Sequence, residues 1–152
     1  MAGLTFRANS GDVSLVANTP KTVLQVKAPT NQRVRVTARE ITVKDAPSST
    51  NTGIKIRYTY STANFGTGTA VTPVKIDQGR PESINSTAAS NFSTEPTSPT
   101  DLGDPLYIQY GSGIVEDYSV ARSPWIGGGA AINVECTAPA SATISITLTC
   151  EE

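Results

Sequence analysis

The chain has 152 residues, of which 38% are hydrophobic and only 16% charged, with a net charge of −1. Its 21 Thr and 15 Ser stand beside 12 Gly and 10 Pro, a composition that favours strands and turns over a helical bundle. The absence of histidine excludes His-based catalytic triads and most zinc sites.

Apolar residues alternate with polar ones in short runs, the pattern of half-buried strands. In chain order the runs cover residues 24–28, 34–43, 54–60, 74–76, 106–110, 132–136 and 144–150. The second run changes phase between Val36 and Ile41, which predicts a β-bulge near Ala38–Ile41. Turn-forming residues separate the runs, as at Asp45–Ser48 and in a long loop over Glu95–Pro105. About eight short strands in one domain predict an all-β fold, either a single antiparallel β-sandwich or jelly roll, or a small barrel.

The last thirty residues predict a β-hairpin whose final strand lies in the middle of its sheet. Gly127–Gly129 leads into the run over 132–136, and Thr137–Ser141 connects it to the last run. The glycines lack the Lys-Ser/Thr of a P-loop, so we expect a turn rather than a phosphate site. In the register of a hairpin Cys136 and Cys150 lie on the order of 20 Å apart, too far for a disulfide within the chain. We predict two buried thiols, with an intermolecular bond as the alternative.

The carboxylates offer no recognisable catalytic or metal-binding pattern. Glu116 and Asp117 are adjacent, so on a strand they point to opposite faces. Glu95, Asp101 and Asp104 share a loop, but their spacing is not that of an EF-hand. We therefore expect solvated loop charges, no enzyme activity, no metal and no cofactor.

Aromatic residues divide between the predicted core and a candidate interface. Tyr58 and Tyr60 follow the apolar parity of their run and are predicted to be core residues. Trp125, the only tryptophan, follows Ser123-Pro124 in a loop or at a strand edge. It is predicted either to close the end of the sandwich or to anchor an interface.

Charge is divided unevenly along the chain. Residues 1–76 carry ten Lys/Arg and three acids, whereas residues 77–152 carry two Arg and ten acids. One interpretation is that strands from the two halves interleave and neutralise each other. The other is that two oppositely charged faces meet between neighbouring copies. The pI near 5.5 gives no reason to expect a nucleic-acid partner.

Seven short strings resemble a family of tailed-bacteriophage head proteins, the capsid decoration or cement proteins: Lys21–Pro29, Asn31–Val36, Ala70–Asp77, Thr94–Thr97, Gly127–Gly129, Cys136–Ala140 and Glu151–Glu152. The resemblance extends from about Pro20 to Glu152. It implies a small jelly roll similar to the tumour-necrosis-factor fold, which sits as a trimer on the outer shell at threefold and quasi-threefold positions. Residues 1–19 match least, and we expect them to form an N-terminal arm or edge strand beside a jelly-roll domain over residues 20–152.

The expected function is therefore that of a structural virion protein that decorates and stabilises a phage capsid. Its expected partners are the major capsid protein and two further copies of itself, without nucleic acid or membrane. No run approaches the roughly 18 apolar residues of a membrane span, and the first residues lack the pattern of a signal peptide. We expect synthesis in the host cytoplasm and a final place on the capsid exterior. The alternative is a carbohydrate-binding β-sandwich on a phage fibre or bacterial surface.

Six residues are predicted to contact the capsid or a neighbouring subunit: Leu4, Phe6, Arg7, Pro124, Trp125 and Ile126. Leu4 and Phe6 give the N-terminal arm an apolar, strand-like face. The arm is expected either to add to the sheet edge of a neighbour or to form the first strand of its own sheet.

Overall fold

The alternating runs form strands, and short strands that the alternation did not reveal lie between them. A computed structural model describes residues 3–44 and 52–152. Met1 and Ala2 of the predicted arm, and the turn predicted at Asp45–Ser48, lie outside the described residues. The described residues contain no helix, and therefore none suited to span a membrane. They form the strands β1 (Thr5–Asn9), β2 (Val13–Leu15), β3 (Lys21–Lys27), β4 (Val34–Val43), β5 (Ile54–Ser61), β6 (Thr67–Val71), β7 (Val74–Lys75), β8 (Thr87–Thr94), β9 (Thr100–Asp101), β10 (Leu106–Ile108), β11 (Gly113–Asp117), β12 (Trp125–Ile126), β13 (Ala131–Thr137) and β14 (Ala142–Glu151).

The strands form two antiparallel sheets that pack face to face, which confirms the predicted β-sandwich. Sheet 1 has the order β11–β4–β14–β1–β7, with β12 also paired to β4 and β2 to β14. Sheet 2 has the order β10–β5–β13–β3–β8–β6, with β9 also paired to β5. The number of strands exceeds the predicted eight. Among the additional strands, β2, β9 and β12 have only two or three residues, too few for an alternating pattern to be read, whereas β6, β8 and β11 are longer.

The core lies between the sheets, where the period-two alternation points the apolar side chains. The longest strands supply most of it: Leu24 and Val26 from β3, Val34, Val36, Ile41 and Val43 from β4, Ile132 and Val134 from β13, and Ile144, Ile146 and Leu148 from β14. The register of β4 on β14 shifts between Ala38↔Thr149 and Val36↔Cys150, so Thr37 is the extra residue. This irregularity confirms the predicted bulge, one residue before the predicted range, and it brings both parts of β4 onto the inner face.

The predicted hairpin at the end of the chain is wrong. β13 pairs with β3 and β5 in sheet 2, whereas β14 pairs with β1, β2 and β4 in sheet 1. The connection over residues 138–141 therefore crosses from one sheet to the other. The final strand does lie inside its sheet, as predicted. Cys136 and Cys150 are both buried and unpaired, but it is the separation into two sheets, not the register of a hairpin, that places them.

A buried polar network fixes the outer side of sheet 2. The Asn133 side-chain amide donates to Thr59 Oγ1 at 3.1 Å and to Ser61 Oγ at 2.9 Å. Its carbonyl oxygen accepts a hydrogen bond from Gln25 Nε2 at 2.7 Å, and the same nitrogen donates to the backbone oxygen of Phe65 at 2.9 Å. Because each of these groups is buried away from water, the network holds β3, β13 and β5 in one register and ties down the segment after β5.

Candidate functional site

Trp125 lies on the outer face of sheet 1, where β12 runs alongside β4. Trp125 is opposite Arg35 and Ile126 is opposite Val34. The alternation along this two-residue strand leaves Trp125 54% exposed and Ile126 fully buried. The carbonyl oxygen of Pro124 accepts a hydrogen bond from the Val36 amide at 2.9 Å. The tryptophan is thus presented outward from a paired strand and does not close the end of the sandwich.

Arg35, which packs beside the Trp125 ring, is held in place by polar contacts. The Arg35 guanidinium lies 5.9 Å from the centre of the Trp125 ring, a cation–π distance. The same guanidinium forms an ion pair with Glu151, whose other carboxylate oxygen accepts a hydrogen bond from the Gly3 amide at 2.9 Å. The Arg35 side chain is only 20% exposed. Arg35 is therefore fixed before any partner arrives, and it offers the indole a rigid neighbour.

Two further apolar side chains lie along the same edge of sheet 1. Val115 in β11 is 74% exposed and pairs with Glu40, on the outer side of β4. Val120, in the connection from β11 to β12, is 70% exposed. We call Val115, Val120 and Trp125 the Trp edge. Exposed apolar residues grouped at one sheet edge are typical of a protein-binding surface.

The predicted contact residues of the arm divide between core and surface. Residues 5–9 form β1, which lies between β14 and β7 in the chain's own sheet. Leu4 and Phe6 are buried in the core of the single chain, so their side chains are not accessible to a partner in this conformation. Ile126 is buried as well, because strand alternation turns it inward. Pro124 is half-buried.

Arg7 is the exposed residue of the arm that was predicted to make contacts. It lies on the outer face of sheet 1, and its guanidinium is 3.7 Å from the Glu40 carboxylate. Arg7 and Trp125 thus share this face, on opposite sides of the central strands β4 and β14. The site residues that the structure leaves accessible are on one side of the sandwich.

On the inner face of sheet 1, the Arg39 side chain packs against Tyr58 of sheet 2. Its guanidinium lies 5.0 Å from the Tyr58 ring and 5.5 Å from the Tyr118 ring, and it forms an ion pair with Glu116. Burial raises the pKa of both tyrosines above the usual value of 10, so both phenols stay neutral at physiological pH. Sequence patterning placed Tyr58 in the core, but it gave no sign that a charged residue of β4 packs against it.

Four of the ion pairs among the described residues join the two halves of the sequence. Arg35–Glu151, Arg39–Glu116, Arg57–Asp101 and Arg57–Glu135 each connect a cation from residues 1–76 with an acid from residues 77–152. These contacts support the interpretation in which interleaved strands neutralise each other, because β4 and β5 place these arginines next to strands from the second half.

The glycine run Gly127–Gly129, ahead of β13, forms a tight turn that packs against the backbone of Thr30. A Cβ at Gly128 would lie 2.3 Å from the Thr30 backbone oxygen, and Gly129 has a φ of +76°. The Gly127 amide donates to the Tyr60 hydroxyl at 3.0 Å. The run has the steric role expected for a turn, and it fixes the loop that follows β12.

Three of the five acids singled out in the sequence, Glu95, Asp101 and Glu116, make structural contacts. The Glu95 carboxylate accepts a hydrogen bond from the Thr22 amide at 2.8 Å, and Asp101 lies 2.9 Å from Arg57. Glu116 turns toward Arg39 while Asp117 is exposed, so the pair does point to opposite faces. Within residues 3–44 and 52–152, no group of three or more Cys, Asp or Glu side chains is arranged to hold a metal ion.

Comparison with known proteins adds no relative: no family model, no curated protein and no solved structure matches this chain.

Proposed function

We propose that the chain is a structural protein of a bacteriophage head, which decorates the outside of the capsid as a homotrimer and clamps neighbouring subunits of the major capsid protein. The observation that carries the proposal is the Trp edge. It presents a half-exposed tryptophan and an exposed valine on paired strands of sheet 1, with a second exposed valine in the connection between these strands. The resemblance of the strings between Pro20 and Glu152 to cement proteins is an independent support.

The Trp edge has the properties of an interface anchor. Tryptophan and arginine are both among the residue types enriched at positions that dominate binding energy. Because Arg35 is already held by Glu151 and by strand pairing, little side-chain entropy is lost when a partner covers it. Such a clamp stabilises the shell by mass action, since it binds the assembled lattice and not its separated parts.

The decisive experiment is to strip the particle of this protein, add purified protein back and follow disruption of the shell on heating. We expect the full-length protein to rebind, to saturate with site occupancy and to delay disruption. Trp125→Ala should weaken rebinding by about thirtyfold, the loss typical of a central aromatic anchor. Thermal melting of the isolated variant should stay close to that of the parent, because the indole is largely in solvent.

Tyr107→Ala is the matched control. Tyr107 is 57% exposed, about as much as Trp125, but it pairs with Lys55 on the outer face of sheet 2. Its removal should leave rebinding unchanged. Equal losses for the two variants, or rebinding of the parent protein without any delay in disruption, would contradict the proposal.

The trimer is tested separately, by light scattering of the purified protein and by the copy number on the particle. A strict monomer in both settings contradicts the trimer while leaving the clamp itself open to the rebinding experiment.

The rival function is binding of carbohydrate, for which a half-exposed tryptophan beside an ion pair is also suited. Trp125 and Tyr107 lie on opposite outer faces of the sandwich, so these two rings do not share one platform. A glycan array decides between the readings. Oligosaccharide binding that Trp125→Ala abolishes, together with failure to rebind capsids, would replace the clamp with a sugar site.

A further inference from the structure

β6 is an edge strand without a charged residue, and its pairing with β8 has one register shift, between Thr67 and Thr69. It is the last strand of sheet 2, paired with β8 on one side only. Natural edge strands are commonly blocked by charges, especially lysine, or kept very short. β6 has five residues, Thr67–Val71, and lies in a stretch from Tyr58 to Val74 that contains no charged residue.

The other edges of the two sheets, within the described residues, are either charged or very short. β11 contains Glu116 and Asp117, and β9 contains Asp101. β7 has two residues, one of them Lys75. β2, β10 and β12 carry no charge, but each has only two or three residues. β6 therefore differs from every other described edge in being both of useful length and uncharged.

β6 is also firmly placed, as a docking edge must be. A Cβ at Gly68 would lie 2.8 Å from the Phe92 ring, so the strand rests directly on a buried aromatic. Gly66, with a φ of +74°, makes the turn into the strand, and Val71 packs against the core. From Thr69 to Val71 the strand is held in regular antiparallel register on β8.

The side chains of β6 are complementary to those of a second β6 running in the opposite direction. In a pairing centred on Thr69, Thr69 of one copy faces Thr69 of the other. Thr67 then faces Val71 on the same side, and Gly68 faces Ala70 on the other. Cross-strand pairs of β-branched residues are favourable, and no like charges meet. An antiparallel two-fold contact of this kind supplies about four to six backbone hydrogen bonds.

We propose that β6 pairs with β6 of a second copy of this chain, which joins two copies of sheet 2 across a two-fold axis. The contact doubles whatever assembly forms through other surfaces, from monomer to dimer or from trimer to hexamer. It uses the edge of sheet 2, whereas the Trp edge belongs to sheet 1, so it neither requires nor follows from capsid binding.

The test places a positive or a negative charge at Thr69, the centre of the proposed β6–β6 pairing. Thr69 is exposed, so Thr69→Lys and Thr69→Asp should fold normally, which far-ultraviolet dichroism and thermal melting will verify. Sedimentation velocity from micromolar to near-millimolar protein should show the doubling step for the parent chain. Each variant places two like charges directly opposite, and we expect the doubling affinity to fall by about tenfold.

Mixing the Lys and Asp variants in equal amounts should restore the doubling, because opposite charges then face each other. Thr62→Lys and Thr62→Asp are matched controls, since Thr62 is an exposed residue of the same uncharged stretch but lies outside β6. Absence of a doubling step in the parent chain overturns the proposal. So does doubling that both Thr69 variants retain on their own, or a mixture that does no better than either variant alone. Capsid rebinding by the Thr69 variants should match the parent, which separates this outcome from failure of the Trp edge.

Discussion

Replacing Phe6 with alanine distinguishes an arm that belongs to the fold from an arm that reaches a neighbour. Phe6 is 0% exposed, and it lies in β1 between Cys150 of β14 and Lys75 of β7. Removing a fully buried phenylalanine ring costs about 3–5 kcal/mol, from lost burial and from the cavity left behind. A domain of this size has about 5–15 kcal/mol of stability in total. Phe6→Ala should therefore remove a large fraction of it.

Urea unfolding followed by tryptophan fluorescence or far-ultraviolet dichroism measures the loss directly, and the melting temperature should fall by about 10 °C. Arg7→Ala is the control from the same strand. Its side chain is 54% exposed, and its ion pair with Glu40 spans 3.7 Å, so we expect a change within about 0.5 kcal/mol. A loss below about 1 kcal/mol for Phe6→Ala would refute the placement of β1 in the core. Deleting Met1 to Arg7 should likewise destabilise the isolated protein, contrary to what a free arm predicts.

Two further predictions concern buried polar groups. Burial raises the pKa of the Cys150 thiol to about 12 from 9.0, and that of Cys136 in the same direction. Unfolded thiols therefore ionise above pH 9 while folded ones stay protonated, so stability falls by about 1.4 kcal/mol per pH unit for each thiol above pH 9. In urea titrations between pH 9 and 10.5, Cys150→Ala should remove the contribution of one thiol from the dependence of the unfolding free energy on pH. An unchanged dependence would contradict the burial of Cys150. Asn133→Ala should lower the free energy of unfolding in urea by about 2 kcal/mol, because Gln25 loses a buried partner. Asn9→Ala is the control and should lower it little, because the hydrogen bond of Asn9 is exposed. Equal losses for the two variants would show that the buried network adds nothing to stability.

The local properties of the strands follow from the sequence alone, because they depend on neighbours along the chain. Period-two alternation is a local signal, and it correctly predicted the long strands β3, β4, β5, β13 and β14 and the bulge in β4. It also predicted which faces turn inward along those strands. It missed β8, whose buried positions are Ala88, Ser90 and Phe92, because a small residue and a polar one hide the alternation. It also missed β6, in which no position is fully buried.

Which strands become neighbours depends on contacts between residues far apart in sequence, and only the tertiary structure decided that. The connection over 137–141 is short enough for a hairpin, yet β14 pairs with β4, β1 and β2 instead. Placing β13 and β14 in opposite sheets lets both bury a full apolar face against each other's sheet. The same placement put Phe6 beside Cys150, brought Arg35 to Trp125, and carried Arg39 between two tyrosines. Each of these contacts joins residues of different elements, so no spacing along the sequence records it. The candidate site on sheet 1 exists only because the sheets assemble in this order.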